Sequence, residues 1–322
     1  MSDDYIYAVA RVRSRELTLL GRQDIDQLMA CRGFDECLRM LNDKGWGASG
    51  SGGSAEELFA AEEEKTWAFI RELTDDLTPF AVLLYPIDYN NLKAAVKCVV
   101  TSAPAQDVFL AGGSVAPEAM MRCVKENDFS TLPPAMGEAA GEAYQTLLHT
   151  GDGQLCDVIL DRACLEGMLE CGRQSRNGLL AEYAELKVAV ANIKTAVRAC
   201  KTGKSRAFID QALAPCGTLD TASLAQAACK SVEDIYAYLA VTPYGAAAEK
   251  LKESYSAFEK WCDDQVMDLI KEQKRNAFTV GPLFAYVLAR QNEIGTVRII
   301  LSGKLNGLDD GMIRERLRDM YV

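Results

Sequence analysis

Residues 201–205 read Lys-Thr-Gly-Lys-Ser and end in the Gly-Lys-Ser of a phosphate-binding loop. In the complete motif another glycine stands five residues before Gly203, and a strand leads into the loop, so that backbone amides can hold phosphate oxygens. Arg198 occupies that position here, and a helical pattern precedes it. We therefore interpret the segment as a helix C-terminus, where basic side chains interact favourably with the helix dipole, and we predict no nucleotide site.

Three adjacent carboxylate pairs and one histidine are the remaining candidates for acid–base catalysis. The pairs are Asp75 with Asp76, Asp263 with Asp264, and Asp309 with Asp310. Neighbouring helical residues point in different directions, and a catalytic pair needs a shared apolar pocket, so surface acids or helix caps are the better interpretation. His149, the only histidine, stands near Gly151 at a predicted helix end, which is an ordinary structural position. No catalytic residue is predicted.

The chain contains eleven cysteines, which raises the question of a metal site or of disulfides. No Cys-x-x-Cys pair occurs, and zinc sites use closely paired ligands. Cys164 and Cys171 are seven residues apart on one predicted helix face, where cysteine acts as a small apolar residue. The odd number and the lack of a signal peptide favour reduced thiols of a cytoplasmic protein. We expect no metal and no cofactor.

Composition and charge exclude several classes of partner. Apolar residues make up 49% of the 322 residues, and the abundance of Ala, Leu, Glu and Lys favours helices. The net charge of −11 repels phosphate backbones and anionic lipids, so nucleic-acid binding is not expected. The longest uncharged runs, 77–87 and 276–289, are shorter than the roughly 20 residues of a membrane-spanning helix. A position at a membrane would therefore depend on other proteins.

The chain reads as helical throughout, because no segment shows the period-two alternation of a strand. Ser54 and Glu57 form a capping box that opens a long acidic helix. Pro79 and Pro86 are expected to interrupt the helical pattern. Single helices are predicted over 5–20, 177–201, 222–239 and 246–273.

A weak internal repeat accompanies this helical pattern. Residues 91–97 (Asn-Leu-Lys-Ala-Ala-Val-Lys) are similar to 192–198 (Asn-Ile-Lys-Thr-Ala-Val-Arg) and to 296–302 (Thr-Val-Arg-Ile-Ile-Leu-Ser). A glycine-containing turn follows each copy. A spacing of roughly 100 residues exceeds that of solenoid units and favours three similar helical lobes. Chance similarity is the alternative.

Four stretches resemble one family, the C subunit of the bacterial and archaeal V-type ATPases, whose eukaryotic counterpart is the d subunit. They are 5–13 (Tyr-Ile-Tyr-Ala-Val-Ala-Arg-Val-Arg), 35–38 (Asp-Glu-Cys-Leu), 281–286 (Gly-Pro-Leu-Phe-Ala-Tyr) and 293–307, which contains Glu-Ile-Gly-Thr-Val-Arg-Ile-Ile-Leu. The repeated helices at 91 and 192 are similar to the family's interior, so the resemblance covers the whole chain.

The resemblance implies an all-α protein whose three pseudo-symmetric lobes form a funnel. Such a protein is a non-catalytic rotor adaptor that transmits torque during ATP-coupled proton or sodium transport. Its partners would be the central-stalk subunits and the membrane rotor ring, and it would be cytoplasmic and peripheral to the membrane. The alternatives are a helical-repeat scaffold that binds peptides and an enzyme of an unrecognised helical family.

The expected lobes are 1–20 plus 276–322, 80–175 and 176–275, with 21–79 helical and a flexible Gly/Ser loop near 47–54. The basic residues of the repeat, Lys93, Lys194 and Arg298, are the predicted partner contacts. They recur at equivalent positions, which a threefold arrangement would place at one height around the cavity. The alternative is that each points to solvent. A C-terminal helix is expected to bury Ile313 and, one and two turns later, Leu317 and Tyr321.

Overall fold

The structure is a computed structural model that describes residues 5–47, 54–105 and 107–322. Throughout these ranges the regular structure is helical, and no residue lies in a β-strand. The predicted all-α class is therefore confirmed, whereas the three-lobed funnel stays a prediction. Of the Gly/Ser loop predicted near 47–54, positions 48–53 lie outside the described residues. None of the described helices is long and apolar enough to cross a bilayer.

In chain order the helices are α1 (Ile6–Glu16), α2 (Arg22–Ala30), α3 (Phe34–Asp43), α4 (Ala55–Leu73), α5 (Ala81–Thr101), α6 (Pro117–Glu126), α7 (Pro134–Thr150), α8 (Gly153–Gln174), α9 (Gly178–Lys201), α10 (Arg206–Ala212), α11 (Thr221–Ala228), α12 (Val232–Leu239), α13 (Gly245–Glu253), α14 (Tyr255–Lys271), α15 (Gly281–Leu305) and α16 (Asp310–Arg314). The chain divides into two compact units. The terminal unit comprises Met1–Leu77 and Glu249–Val322, and the central unit comprises Thr78–Ala248.

The terminal unit is organised around α15. Residues 281–289 of this helix carry no charge and are all buried, and α1, α2, α3, α4 and α14 pack against α15. A helix that is apolar on every side is stable only when other elements surround it. Leu28 of α2 and Leu41 of α3 join Val297 and Ile300 of α15 in one core.

The central unit is organised around α8, which packs against α5, α7, α9 and α10. The buried side chains of α8 recur every three or four residues and include Cys156, Leu160, Cys164 and Met168. This spacing places them on one face of the helix. Cys156 and Cys164 are buried in this core, as predicted for small apolar side chains.

Pro86 does not interrupt the helical pattern, contrary to our prediction. It lies inside α5, which begins at Ala81 and continues to Thr101. A proline inside a helix removes one backbone hydrogen bond and costs about 3 kcal/mol or more. The helix is buried on both sides of the proline, at Val82 and at Tyr89, and this packing offsets the loss.

Two predicted helices are in fact pairs of helices. The segment 222–239 contains α11 and α12, and the hydroxyl of Ser231 accepts the backbone N–H of Asp234 at 3.0 Å to cap α12. The segment 246–273 contains α13 and α14, and Ser254 accepts from the backbone of Ala257 at 2.9 Å to cap α14. Serine favours an N-cap because its oxygen satisfies an otherwise unpaired backbone donor. These internal serines were the sequence signals for the two breaks.

The predicted helix at 177–201 is confirmed as α9, and Asn177 caps it. The capping box at Ser54 and Glu57 is also present at the start of α4. The predicted C-terminal helix is shorter than expected, because α16 ends at Arg314 and does not reach Leu317 or Tyr321. Ile313 and Tyr321 are nevertheless buried, so the chain end is packed without being a continuous helix.

Candidate protein-contact surfaces

Two equivalent asparagines of the repeat tie a loop to a helix in the same way. Asn91 of α5 is fully buried, and its amide donates to the carbonyl oxygen of Leu110 at 2.9 Å and accepts from the N–H of Leu110 at 2.7 Å. Asn192 of α9 makes the same two bonds to Ala214, at 2.8 and 2.9 Å. Each asparagine amide therefore satisfies both the N–H and the carbonyl oxygen of one loop residue. At these positions the sequence repeat is also a structural repeat.

A carboxylate on each of these helices holds the glycine-containing turn downstream. Asp88 of α5 is fully buried and accepts from the N–H groups of Ser114 and Val115 at 2.7 and 3.1 Å. Glu185 of α9 accepts from the N–H and the hydroxyl of Thr218, both at 2.7 Å. Such hydrogen bonds to an ionised acceptor are stronger than neutral ones. Sequence reasoning missed the two carboxylates, although the Gly-Ser and Gly-Thr turns were a usable signal.

The third copy of the repeat has different chemistry. Thr296 of α15 stands where the other copies have asparagine; it is fully buried, and among the described residues its hydroxyl has no hydrogen-bond partner. Glu293 stands three residues earlier, as Asp88 stands before Asn91, and it accepts from the N–H of Leu20 at 2.6 Å. The first and third copies therefore both use an acid one turn earlier to hold a backbone amide.

Glu293 belongs to a buried ionic network. Arg290 donates to Glu293 and to Glu62 of α4, and Glu62 also accepts from Lys65 at 2.6 Å. The Arg290 side chain is only 8% exposed, and its guanidinium carbon lies 5.2 Å from the centre of the Trp46 ring. Sequence reasoning missed this network, because no local pattern marks Arg290 as buried.

The network is enclosed and serves to hold elements together. Burial raises the pKa of Glu293, although the charge of Arg290 acts to lower it. Burial also disfavours the charged form of Arg290, but Glu293 and other neighbours together raise its pKa. A buried charge that keeps its partners is tolerated, whereas an unpaired one is strongly destabilising. Arg290 thus fixes α4 and α15 to each other within the terminal unit.

The three predicted contact residues are distributed over both units. Lys93 is in the central unit and pairs with Asp161 at 2.7 Å. Lys194 is also in the central unit and is half-buried. Arg298 is in the terminal unit, where it pairs with Glu56 at 2.7 Å and lies over a phenylalanine ring. Their role as partner contacts stays a prediction.

The residues that suggested chemistry lie at helix ends. Helix α9 ends at Lys201, which confirms that residues 201–205 are a helix end. Ser205 caps α10, and Lys204 donates to Gln154 at 2.6 Å. Asp309 caps α16, and His149 is exposed in the last turn of α7. In the part of the chain that the structure describes, no group of three or more His, Cys, Asp and Glu side chains could hold a metal ion.

A groove runs along α8 in the central unit. It consists of two adjoining depressions of about 770 and 730 Å³. They share the lining residues Leu169, Arg173 and Pro215. Helix α7 forms one wall of the first depression, and α9 forms a wall of the second. The groove is a concave surface of the central unit that is long enough for a protein segment.

Comparisons with known proteins give a consistent result. The family model described as "ATP synthase (C/AC39) subunit" matches residues 8–316. The C subunit of the A-type ATP synthase of Desulfurococcus sp. is 27% identical over 97% of this chain and 90% of its own length. The C subunit of the V-type sodium ATPase of Enterococcus hirae is 21% identical over 96% and 97%, and that of the V-type ATP synthase of Thermus thermophilus is 22% identical over 98% and 99%.

Proposed function

Because the chain belongs to the ATP synthase (C/AC39) subunit family, we propose that it is a non-catalytic rotor adaptor of a V-type or A-type ATP synthase. It joins the central stalk to the membrane rotor ring and transmits torque during ATP-coupled proton or sodium transport. The observation that carries this proposal is the family match over residues 8–316. The matched relatives are named as the C subunits of such complexes.

The mechanical character of the fold supports the proposal. A part that transmits torque must resist deformation, so its loops and helices need strong mutual ties. In the central unit, Asn91 and Asn192 each fix a loop residue through two hydrogen bonds. In the terminal unit, Arg290 fixes α4 to α15 through two buried carboxylates. These hydrogen bonds and ion pairs stiffen each unit, and we assign the buried polar groups a structural role.

We place the protein at the cytoplasmic face of the membrane, held there by protein contacts. The described helices include none that could span a bilayer, and the net charge of −11 disfavours adsorption to anionic lipid. The coupling ion would be a property of other subunits. One matched relative is named for a sodium ATPase and others for ATP synthases, so the matched names do not share one coupling ion.

Lys93, Lys194 and Arg298 are the contact positions that follow from the repeat. Lys93 and Arg298 already pair with Asp161 and Glu56, so a carboxylate of the stalk would compete with these partners. The test is a pull-down of the central-stalk subunits with all three residues changed to glutamine, across a salt titration. Unchanged binding at every salt concentration would remove these residues from the contact surface.

The rotor-adaptor role is tested by deleting the chain from cells that assemble the complex. We expect membranes of the deletion strain to lose ATP-driven ion transport, while the detached head still hydrolyses ATP. Re-expression of the chain should restore coupled transport and serves as the control. Coupled transport at normal rate in the deletion strain would contradict the proposal.

A further inference from the structure

The groove along α8 has an apolar floor and acidic walls. Its floor includes Leu155, Val158 and Ile159 of α8, which are half-buried. The second depression continues the apolar surface with Leu186 of α9 and with Pro215. When a partner covers half-buried aliphatic side chains in a groove, the burial of their apolar surface stabilises the complex.

The acidic residues are arranged as one pair on each of three neighbouring helices. The pairs are Glu138 with Glu142 on α7, Glu166 with Glu170 on α8, and Glu182 with Glu185 on α9. Members of a pair are three or four residues apart and share a helix face, where like charges repel and destabilise the helix. The lining includes six glutamates and two arginines, which leaves a net charge of −4.

Half of these glutamates have no hydrogen-bond or ion-pair partner among the described residues. Glu166 pairs with Arg162, Glu170 pairs with Arg173, and Glu185 holds a turn. By contrast, the exposed side chains of Glu138, Glu142 and Glu182 form no hydrogen bond or ion pair with any residue that the structure describes. The remaining negative charge is therefore available to an external cation.

The length of the groove identifies the kind of occupant. The first depression runs along residues 155–173 of α8, which at 1.5 Å per residue is about 27 Å. That length corresponds to about 18 residues of helix and exceeds what a metabolite or polyamine can fill while also covering an apolar floor. Nucleic acid and anionic lipid carry the wrong charge.

We propose that this groove binds a basic amphipathic helix of a partner subunit. The helix would place apolar residues at positions i, i+3, i+4 and i+7 on the floor, the usual arrangement of a helix in a groove. Lysines and arginines on its flanks would lie against Glu138 and Glu142 in the first depression and against Glu182 in the second. The inference deepens the proposed function and rests on it, since the partner would be a subunit of the same ATP synthase.

The test uses the complex reconstituted from this chain and the remaining subunits. The groove variant is Glu138→Lys with Glu142→Lys, and the matched control is Glu118→Lys with Glu126→Lys on α6. All four glutamates are exposed and lie in the central unit, and the control pair is outside the groove. The two variants have the same net charge, so they separate a local effect from a general one.

We expect the groove variant to bind the other subunits at least about tenfold more weakly than the control at about 0.1 M salt. The difference should shrink at about 1 M salt, where the Debye length falls from about 10 Å to about 3 Å. Circular dichroism of the free variants should show equal helix content. A groove variant that assembles as well as the control at low salt overturns the groove proposal.

A cross-linking experiment identifies the occupant directly. The variant Glu142→benzoylphenylalanine is illuminated in the assembled complex, and the linked peptide is sequenced by mass spectrometry. We expect a helical peptide with interleaved basic and apolar residues. A peptide without basic residues, a lipid adduct or no adduct overturns the groove proposal. If the complex assembles in that case, the proposed function stands, whereas failure of the wild-type chain to enter any complex overturns both.

Discussion

Replacing Arg290 by methionine should destabilise the terminal unit strongly. Methionine keeps the apolar stem and removes the charge. The side chains of Glu62 and Glu293, which Arg290 joins, are 5% and 1% exposed. Lys65 remains beside Glu62 at 2.6 Å, so Glu293 is the carboxylate that loses its cation. Removing one partner of a buried ion pair costs about 3–5 kcal/mol, because the other charge stays buried.

The cost of this substitution should depend on pH. Burial already raises the pKa of Glu293, and removal of the Arg290 charge should raise it further. A carboxyl whose pKa is higher in the folded state contributes stability that is present below its unfolded value of about 4.3. This contribution is lost as pH rises through the folded value. The variant should therefore lose less free energy of unfolding at pH 5 than at pH 8.

The three tryptophans of the chain make the measurement specific. Trp46, Trp67 and Trp261 all belong to the terminal unit. Urea unfolding followed by tryptophan fluorescence therefore reports this unit, while circular dichroism reports both units. This separation matters because unfolding of a protein with two units need not be a single transition.

The matched control is Arg298→Met on the same helix. Arg298 and its partner Glu56 are 46% and 73% exposed, and exposed ion pairs contribute about 0–1 kcal/mol. The control should thus unfold nearly like the wild type. Equal losses in the two variants, or a loss below about 1 kcal/mol for Arg290→Met with no pH dependence, would refute the reasoning.

Three further predictions follow from local geometry. Gly113→Ala would place a Cβ 2.4 Å from Oδ1 of Asp88 and should cost the central unit about 1–3 kcal/mol, measured by circular dichroism in urea. Gly217→Ala meets only ordinary contacts, the nearest at 3.6 Å, and a similar loss there would contradict this explanation. Thr296→Val removes a buried hydroxyl without a partner among the described residues, so it should raise the free energy of unfolding by about 1 kcal/mol. A clear decrease in that free energy, measured by tryptophan fluorescence in urea, would show that the hydroxyl does have a hydrogen-bond partner. Cys37, where burial and the nearby Cys31 raise the thiol pKa to about 12, should resist alkylation at pH 8 until urea unfolds the protein, as peptide mapping can show.

The sequence alone determined the features that depend on local patterns. Helical periodicity and the absence of period-two segments predicted the all-α class. The capping box at Ser54 marked the start of α4, and the helix predicted over 177–201 is α9. The repeat located Asn91 and Asn192 at equivalent places, though not what their amides do. Helix caps and periodicity are set by residues a few positions apart, which is why these inferences succeeded.

Other features were decided only by tertiary structure. Arg290 reads as an ordinary charged residue on an apolar helix, and its partner Glu62 is 228 residues away in sequence. Pro86 is tolerated because neighbouring helices bury α5 around it. The acidic pairs of the groove look like solvated faces on three separate helices until packing brings α7, α8 and α9 together. Burial and charge pairing depend on residues distant in sequence, and their energies exceed local propensity, so only the folded chain could reveal them.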